Sequence, residues 1–378
     1  MQFINWRFWV GLAVSGLFLL LLLLRVDRQE IVSALSNANY FYVVPAIGLY
    51  FVAVYFRSVR WSYLLSPIGR FPVNRLYPVV IIGYMANNLL PARLGELVRS
   101  YYLAKRETIS GGTALATVAV ERLYDGIALL FFAAISAPLL LKLGLFQASD
   151  DFSRGAALFF AIGTVAMFSL AFAFLVLAGQ PWFSKVVDVG LSLAPSKIRP
   201  TLGDLVHRFI GGLGVLNSPR RHLGVFLLSW PVWLFEGAMY LLVGYSFDLH
   251  LLFGSFWTMA LVMMLLTATS NLATALPSSA GGIGPFEVVA TETLVALGVS
   301  GSVGAVYAVV LHLVALWLPV TLLGLVLLWR QNLSLKTLAG KNLIDRTGET
   351  TGASAEPESA TPESQLTLPQ EGSREESP

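Results

Sequence analysis

The chain has 378 residues and a formal net charge of +3, and 56% of its residues are hydrophobic while only 12% are charged. A soluble domain carries roughly 25% charged residues, so this composition excludes an ordinary soluble protein and requires a bilayer as solvent. The lack of cysteine excludes a disulfide scaffold, a thiolate metal site and a cysteine nucleophile.

Six apolar runs approach or exceed the length of about 20 residues that crosses a bilayer as a helix. The first run is predicted to be an uncleaved anchor, because charged residues follow it where a signal peptide would carry small residues for cleavage. The predicted full spans are 8–24, 40–56, 113–141, 156–178, 223–247 and 305–329.

Two further apolar runs, 76–90 and 256–276, are broken by Leu-Pro and a glycine-containing segment. Proline ends a helix, and irregular backbone survives in a membrane only inside protein or beside a wet cavity. One break lies in each half, which indicates two re-entrant helical hairpins of an inverted repeat around a site near the midplane. The alternative is two ordinary loops at the interface. The residues that form the breaks are Pro91, Gly95, Pro277, Gly281, Gly282, Gly284 and Pro285.

Lysine and arginine placement predicts the orientation. Nineteen of these residues, with Arg57 and Arg60 among them, fall on one predicted face and four fall on the other. Basic residues favour the cytoplasmic side, so both termini are expected in the cytoplasm. The polar segment 179–222 is predicted to lie in the cytoplasmic interface, since apolar residues recur at helical spacing in its second half. The tail 345–378 holds eight acids and two bases and is predicted to be disordered.

Ionisable residues inside predicted spans or beside the breaks are the candidate substrate-binding residues, because a charge in hydrocarbon must pair or face a cavity. Arginines suit a phosphodiester, and acids balance the charge, attract an amine or carry a coupling proton. The alternative is a set of internal ion pairs that joins helices. The candidates are Arg93, Arg99, Glu121, Arg122, Asp125, Glu236 and Glu287.

Signals for enzyme chemistry are weak. The four histidines lack metal-ligand spacing, and His312 is interpreted as a packed or hydrogen-bonded residue of the last span. Asp150 and Asp151 form an acid pair that a membrane transferase could use, although a solvated loop is the simpler interpretation. The sequence predicts no catalytic residue, metal, cofactor or nucleic-acid partner.

Three motifs, at 87–99, 116–126 and 276–287, resemble the lysylphosphatidylglycerol synthase transmembrane-region family. This family includes the flippase half of bacterial multiple-peptide-resistance factors and many stand-alone proteins. The resemblance covers roughly 8–335 and implies a multi-pass protein of a bacterial or archaeal plasma membrane that translocates lipid. It implies a central site built from Asn88, Pro91, Arg93, Gly95, Glu96, Arg99, Glu121, Arg122, Asp125, Pro277, Gly281, Gly282, Gly284 and Glu287.

These patterns together predict an all-α polytopic membrane protein with about six full spans and two broken hairpins. Residues 1–344 are expected to form the membrane domain. The resemblance implies that aminoacyl-transferring members carry a soluble catalytic domain after it, where the disordered tail is expected here. The expected function is flippase-like movement of a phospholipid or isoprenoid-linked head group. The alternative is a non-catalytic membrane subunit that partners a lipid- or glycan-modifying enzyme. The sequence does not predict the oligomeric state.

Overall fold

The computed structural model describes residues 26–90, 94–107, 109–146, 183–192, 218–275 and 280–331, together with positions 13, 15–18, 20, 166, 169, 170, 173, 177 and 203. Regular structure in these ranges is helical throughout. Five of the described helices are long and apolar enough to cross a membrane. The chain is therefore an all-α polytopic membrane protein, as predicted.

The helices are numbered here in chain order. They are α1 Arg28–Asn37, α2 Val43–Leu65, α3 Val73–Leu89, α4 Gly95–Arg106, α5 Gly111–Lys142, α6 Phe183–Ser192, α7 Pro219–Ser246, α8 Leu249–Phe253, α9 Phe256–Ala273, α10 Pro285–Ala296, α11 Gly301–Val309 and α12 Leu318–Arg330. Short 3-10 turns lie at Tyr40–Tyr42 and Ala280–Gly282, and the π-helical segment Val310–Trp317 joins α11 to α12.

The candidate membrane spans agree with four predicted ones. The four that agree are Tyr40–Leu65, Gly111–Lys142, Arg220–Ser246 and Gly301–Arg330, and the fifth candidate span is Phe256–Ala273. Phe256–Ala273 is the arm that leads into the second predicted break, and it too is long enough to cross. The predicted spans 8–24 and 156–178 lie largely outside the described residues. So do the tail 345–378 and most of 179–222, in which only α6 and a few positions are described.

Tight packing of small and large side chains holds the helices together. The most extensive contact is between α2 and α7, and α5 lies against α9. Where α12 crosses α3, a Cβ atom on Gly324 would lie 2.5 Å from the Cβ atom of Met85. Helices in lipid gain little from hydrophobic burial against one another, so such close approaches at small residues supply much of their attraction.

The outer helix α1 is fixed to the start of α11 by polar contacts. The Asp27 side chain caps α1, and the Asp27 backbone N–H donates to Ser302 Oγ at 3.0 Å. Ser300 Oγ donates to Glu30 Oε1 at 2.6 Å. This hydrogen bond, with one from Ser302, lowers the pKa of the exposed Glu30 carboxyl.

Helix α2 corrects one prediction made from the sequence. It continues to Leu65, so Arg57 and Arg60 lie inside the helix, 5% and 0% exposed, rather than in a cytoplasmic loop. The predicted span stopped at the first charge because an unpaired arginine is costly in a membrane. Both arginines are paired here, which removes that reason for ending the span. Without these two residues the predicted charge distribution is still 17 to four.

Candidate functional site

A network of buried and half-buried charges lies between α2, α4, α5 and α7. Within the described ranges it contains four arginines and four acids, so its formal net charge is zero. Its members are Arg57, Arg60, Arg99, Arg122, Glu96, Glu121, Asp125 and Glu236. Six of the predicted site residues that carry charge are thus in direct ion pairs with one another or with the arginines of α2.

Arg60 forms the centre of this network. Its Nη1 donates to Asp125 Oδ1 at 2.7 Å and to Ser229 Oγ at 2.8 Å, and its Nη2 lies 3.5 Å from Glu121 Oε1. Glu121 and Asp125 are four residues apart on α5, which places them on one helix face, as the sequence predicts. A single arginine therefore binds both acids.

Arg99 is enclosed on the far side of Glu121. Its Nη1 lies 2.7 Å from Glu121 Oε2, and its guanidinium stacks over the Trp61 ring at 3.6 Å. The side chain is only 4% exposed. Arg99 and Glu121 therefore support the site from behind, and neither lines the central cavity described below.

The remaining two arginines border that cavity. Arg57 Nη2 donates to Glu236 Oε2 at 2.6 Å, and the Arg57 guanidinium lies 4.6 Å from the centre of the Trp233 ring. The ion pairs of Arg122 are longer: its Nε lies 3.3 Å from Glu96 Oε1 and its Nη1 lies 3.4 Å from Asp125 Oδ2. The Arg122 side chain is 34% exposed, against 6% for Arg57. Arg122 is the network arginine most open to a ligand.

A cavity of about 570 Å³ lies next to the network and between the two breaks. This volume is in the range of pockets that bind small ligands, about 300–1,000 Å³. Its polar and charged lining includes Arg57, Asn87, Asn88, Glu96, Arg122, Asp125, Glu236, Asn271, Thr274 and His312. Aromatic rings, among them Tyr50, Tyr84, Trp233, Phe286 and Trp317, form much of the rest.

The first break lies between α3 and α4. The Gly95 N–H, at the start of α4, donates to Asn87 Oδ1 at 2.8 Å. A Cβ atom on Gly95 would collide with the Gly83 carbonyl oxygen, so α3 and α4 can cross this closely only with glycine here. Pro91 and Arg93 lie outside the described residues, and the predicted role of Arg93 stays a prediction.

The second break is a run of left-handed glycines that leads into α10. Gly281, Gly282 and Gly284 have φ of 75°, 80° and 104°, which favours glycine at each position. Pro285 begins α10, and Glu287 Oε2 accepts from the Gly284 N–H at 2.7 Å. Pro277 lies outside the described residues.

Both breaks reach the same cavity. Asn88 Nδ2, beside the first break, donates to Thr321 Oγ1 at 3.0 Å and to the Trp317 carbonyl at 3.3 Å. A Cβ atom on Gly281, in the second break, would lie 2.8 Å from Trp317 Nε1 and 3.6 Å from Asn88 Oδ1. Asn88 and Trp317 therefore stand between the two breaks.

Comparison with known proteins identifies the family. A family model described as "Lysylphosphatidylglycerol synthase TM region" matches residues 8–324. The chain belongs to this family. The match confirms the resemblance predicted from the three motifs.

The curated relatives of this family member come from archaea. The chain is 27% identical over 325 residues to "Glycosyltransferase AglD" of Haloferax volcanii, in a match that covers 80% of this chain and 50% of AglD. It is 34% identical over 125 residues to a UPF0104 membrane protein of Methanocaldococcus jannaschii, covering 32% of this chain and 37% of the relative. It is 27% identical over 325 residues to a UPF0104 membrane protein of Methanothermobacter thermautotrophicus, in a match that covers 82% of this chain and 90% of the relative. The matches thus span half or less of the first two relatives.

The family member brings most of its predicted site residues together. Asn88, Glu96, Arg122, Asp125, Glu236 and Gly281 line the cavity. Glu287 lies behind the lining and contacts His312, while Asp150 and Asp151 lie outside the described residues. Among the described residues, no three His, Asp or Glu side chains are arranged to hold a metal ion.

Sequence reasoning missed several residues of the site. The sequence pattern places Arg57 and Arg60 in a loop. It interprets His312 correctly as a packed or hydrogen-bonded residue but does not connect it to the second break. A usable signal was present for the arginines: they are three residues apart, so they share a helix face, and the buried acids of other spans lack partners without them.

Proposed function

We propose that this protein moves the polar head group of a membrane lipid across the plasma membrane through the cavity between the two breaks. One observation carries the proposal. A cavity rich in charged and amide side chains lies among membrane-spanning helices, at the point where both breaks meet. Intramembrane charge beside broken helices is typical of substrate pathways in transporters.

Phosphate is the chemical group that the site suits best. Arg122 lies 3.3 and 3.4 Å from the carboxylate oxygens of its two acid partners, so a phosphodiester can bind its guanidinium in their place. The side-chain oxygens of Asn88 and Asn271 and the second carboxylate oxygen of Glu236 can then accept hydrogen bonds from an amine or from hydroxyl groups. The family description names lysylphosphatidylglycerol, a phospholipid whose head group presents a phosphate.

The direction of access follows from the predicted orientation. With both termini in the cytoplasm, the first break enters from the cytoplasmic side and the second from the outside. Rocking of the two halves would open the cavity to each side in turn. The proposal assigns no catalytic step to this chain, and movement would be downhill or coupled to an ion.

Lipid flipping in proteoliposomes tests the proposal. Vesicles with head-group-labelled phosphatidylglycerol, aminoacylated phosphatidylglycerol or polyprenyl phosphate should show flipping that depends on the protein. R122Q should slow it about tenfold, which corresponds to about 1.4 kcal/mol of lost stabilisation. The matched control is R75Q, which alters a surface pair in which Arg75 is 65% exposed. No flipping of any of these lipids would contradict the proposal.

The match to AglD favours a second candidate. That relative is named a glycosyltransferase, and this chain matches only half of its length. The chain would then be a membrane subunit that presents a lipid to a separate enzyme. Purification from native membranes under mild conditions separates the two candidates. A lipid- or glycan-modifying enzyme in stoichiometric amount, with no flipping by the chain alone, would favour the second.

A further inference from the structure

A histidine–glutamate pair holds the second break in place. His312, in the π-helical segment Val310–Trp317, has its Nδ1 2.6 Å from Glu287 Oε1 and its Nε2 3.1 Å from the Gly281 carbonyl oxygen. The other carboxylate oxygen, Glu287 Oε2, accepts from the Gly284 N–H at 2.7 Å. The pair therefore links both ends of the glycine turn.

The number of protons on this pair follows from its contacts. The Gly281 carbonyl oxygen only accepts, so His312 Nε2 must carry a proton. A second proton must lie between Nδ1 and Glu287 Oε1, whether it belongs to the ring or to the carboxyl group. The arrangement thus needs two protons, whereas a neutral histidine beside a carboxylate has one. The geometry is that of the proton-loaded pair.

We propose that Glu287 and His312 form a proton-binding site, and that loss of one proton releases the second break. With one proton left, the ring can keep its hydrogen bond to the Glu287 carboxylate, but Nε2 then presents a lone pair to the Gly281 oxygen. That contact becomes repulsive, and the glycine turn loses the bond that fixes it. Coupling of this release to lipid movement rests on the proposed function, whereas the release itself does not.

Water can reach the pair because His312 lines the cavity. Histidine is also the side chain whose charge ordinarily changes between about pH 5 and 8. The arginines around the cavity do not lose protons, and they hold the acids of the network in ion pairs. Among the described residues, the other titratable or charged groups that face the cavity are Tyr50 and Arg57 on α2, Tyr84 on α3, Glu96 on α4, Arg122 and Asp125 on α5, and Glu236 on α7.

A purely structural role is the competing explanation. The His312 ring stacks on Phe286 with centroids 4.1 Å apart, so it would also fill space as a neutral side chain. A packing residue would keep the same number of protons across the physiological pH range and would not affect the mobility of the turn. Proton count and turn mobility therefore separate the two roles.

Both quantities are measurable in the intact protein in nanodiscs. The chain has four histidines, so ¹⁵N NMR of labelled imidazole rings, with H312Q to identify the signal, counts the protons on His312. The chain has no cysteine, so a nitroxide attached to A280C reports on the turn alone. Raising the pH should remove one proton from the pair and increase nitroxide mobility over the same range.

The pH response of the nitroxide should be lost in the H312Q and E287Q backgrounds. It should persist in H250Q, the matched control, because His250 stacks on Tyr245 and does not line the cavity. A His312 ring whose proton count and tautomer both stay unchanged, or a turn whose mobility does not respond to pH with native Glu287 and His312, would overturn the proposal. Both measurements keep Glu287 and His312 in place, so they do not depend on whether the H312Q and E287Q variants fold.

Flipping assays at several pH values distinguish this inference from the proposed function. A pH-dependent turn in a protein that moves no lipid supports the proton site and contradicts the proposed function. Lipid movement that depends on pH equally in the native protein and in H312Q supports the proposed function and overturns the coupling. Loss of that dependence in H312Q supports both.

Discussion

Replacing Arg60 by methionine tests whether the buried network holds the helices together. The Arg60 side chain is 0% exposed and binds Asp125, Glu121 and Ser229. R60M keeps the helix and most of the volume but leaves three arginines against four acids, so one negative charge is uncompensated. Breaking a buried ion pair in this way costs about 3–5 kcal/mol.

Thermal unfolding in detergent measures this cost. The shift in unfolding temperature per kcal/mol falls with chain length, to about 1–2 °C for 378 residues, so R60M should unfold at least about 3 °C below the native protein. R60M/E121Q restores equal numbers of charges and should recover part of the loss, which a double-mutant cycle quantifies. The matched control R75M, at an exposed pair, should shift stability by less than about 1 kcal/mol. If R60M and R75M unfold at the same temperature, the network does not stabilise the fold.

Three further predictions concern the connections around the site. G95A should greatly reduce the folded yield, measured by size-exclusion chromatography, because its methyl group collides with the neighbouring helix, whereas G48A, with open space around it, should not. N88L removes both hydrogen bonds to the last span, so hydrogen exchange should speed up beside the first break. The hydrogen bond from Ser300 lowers the pKa of Glu30, so the ionised carboxylate stabilises α1 above the ordinary value of 4.5 and this contribution is lost as the pH falls through the lowered pKa. The protection factors of α1 amides, corrected for the intrinsic pH dependence of exchange, should therefore fall on acidification in the native protein.

A specific result would contradict each of these three predictions. Equal yields for G95A and G48A would mean that α3 and α4 can separate at no cost. Unchanged exchange in N88L would mean that its amide does not hold the last span. For α1, E30Q should show the faster exchange already at neutral pH and little further change on acidification. A native-like acid response in E30Q would assign the effect to another group.

The breaks and the membrane class were predictable because they depend on local chemistry. Proline and glycine interrupt an apolar run wherever they occur, and Glu121 and Asp125 share a face at any i, i+4 spacing. The partners of these acids were not predictable in the same way. Arg57 and Arg60 are favourable in the membrane only because α5 and α7 present acids to them, which no single segment reveals.

His312 shows the other limit of the sequence. Its side chain reaches the second break from a π-helical segment, whose wider turns change the direction of each residue relative to a regular α-helix. A pattern with α-helical spacing therefore does not predict its orientation. The role of His312 depends on its contact with the Gly281 carbonyl oxygen, 31 residues earlier in the chain, and only the folded structure shows that contact.

The balance of charges in the network bears on how the membrane voltage would act on transport. A group of zero net charge does no electrical work when it shifts within the field, whereas each uncompensated elementary charge that crosses 100 mV exchanges about 2.3 kcal/mol with it. Four arginines and four acids that move together would therefore add no voltage dependence of their own. An electrical current during lipid movement would report charges outside this network, such as those of the cargo and of accompanying protons.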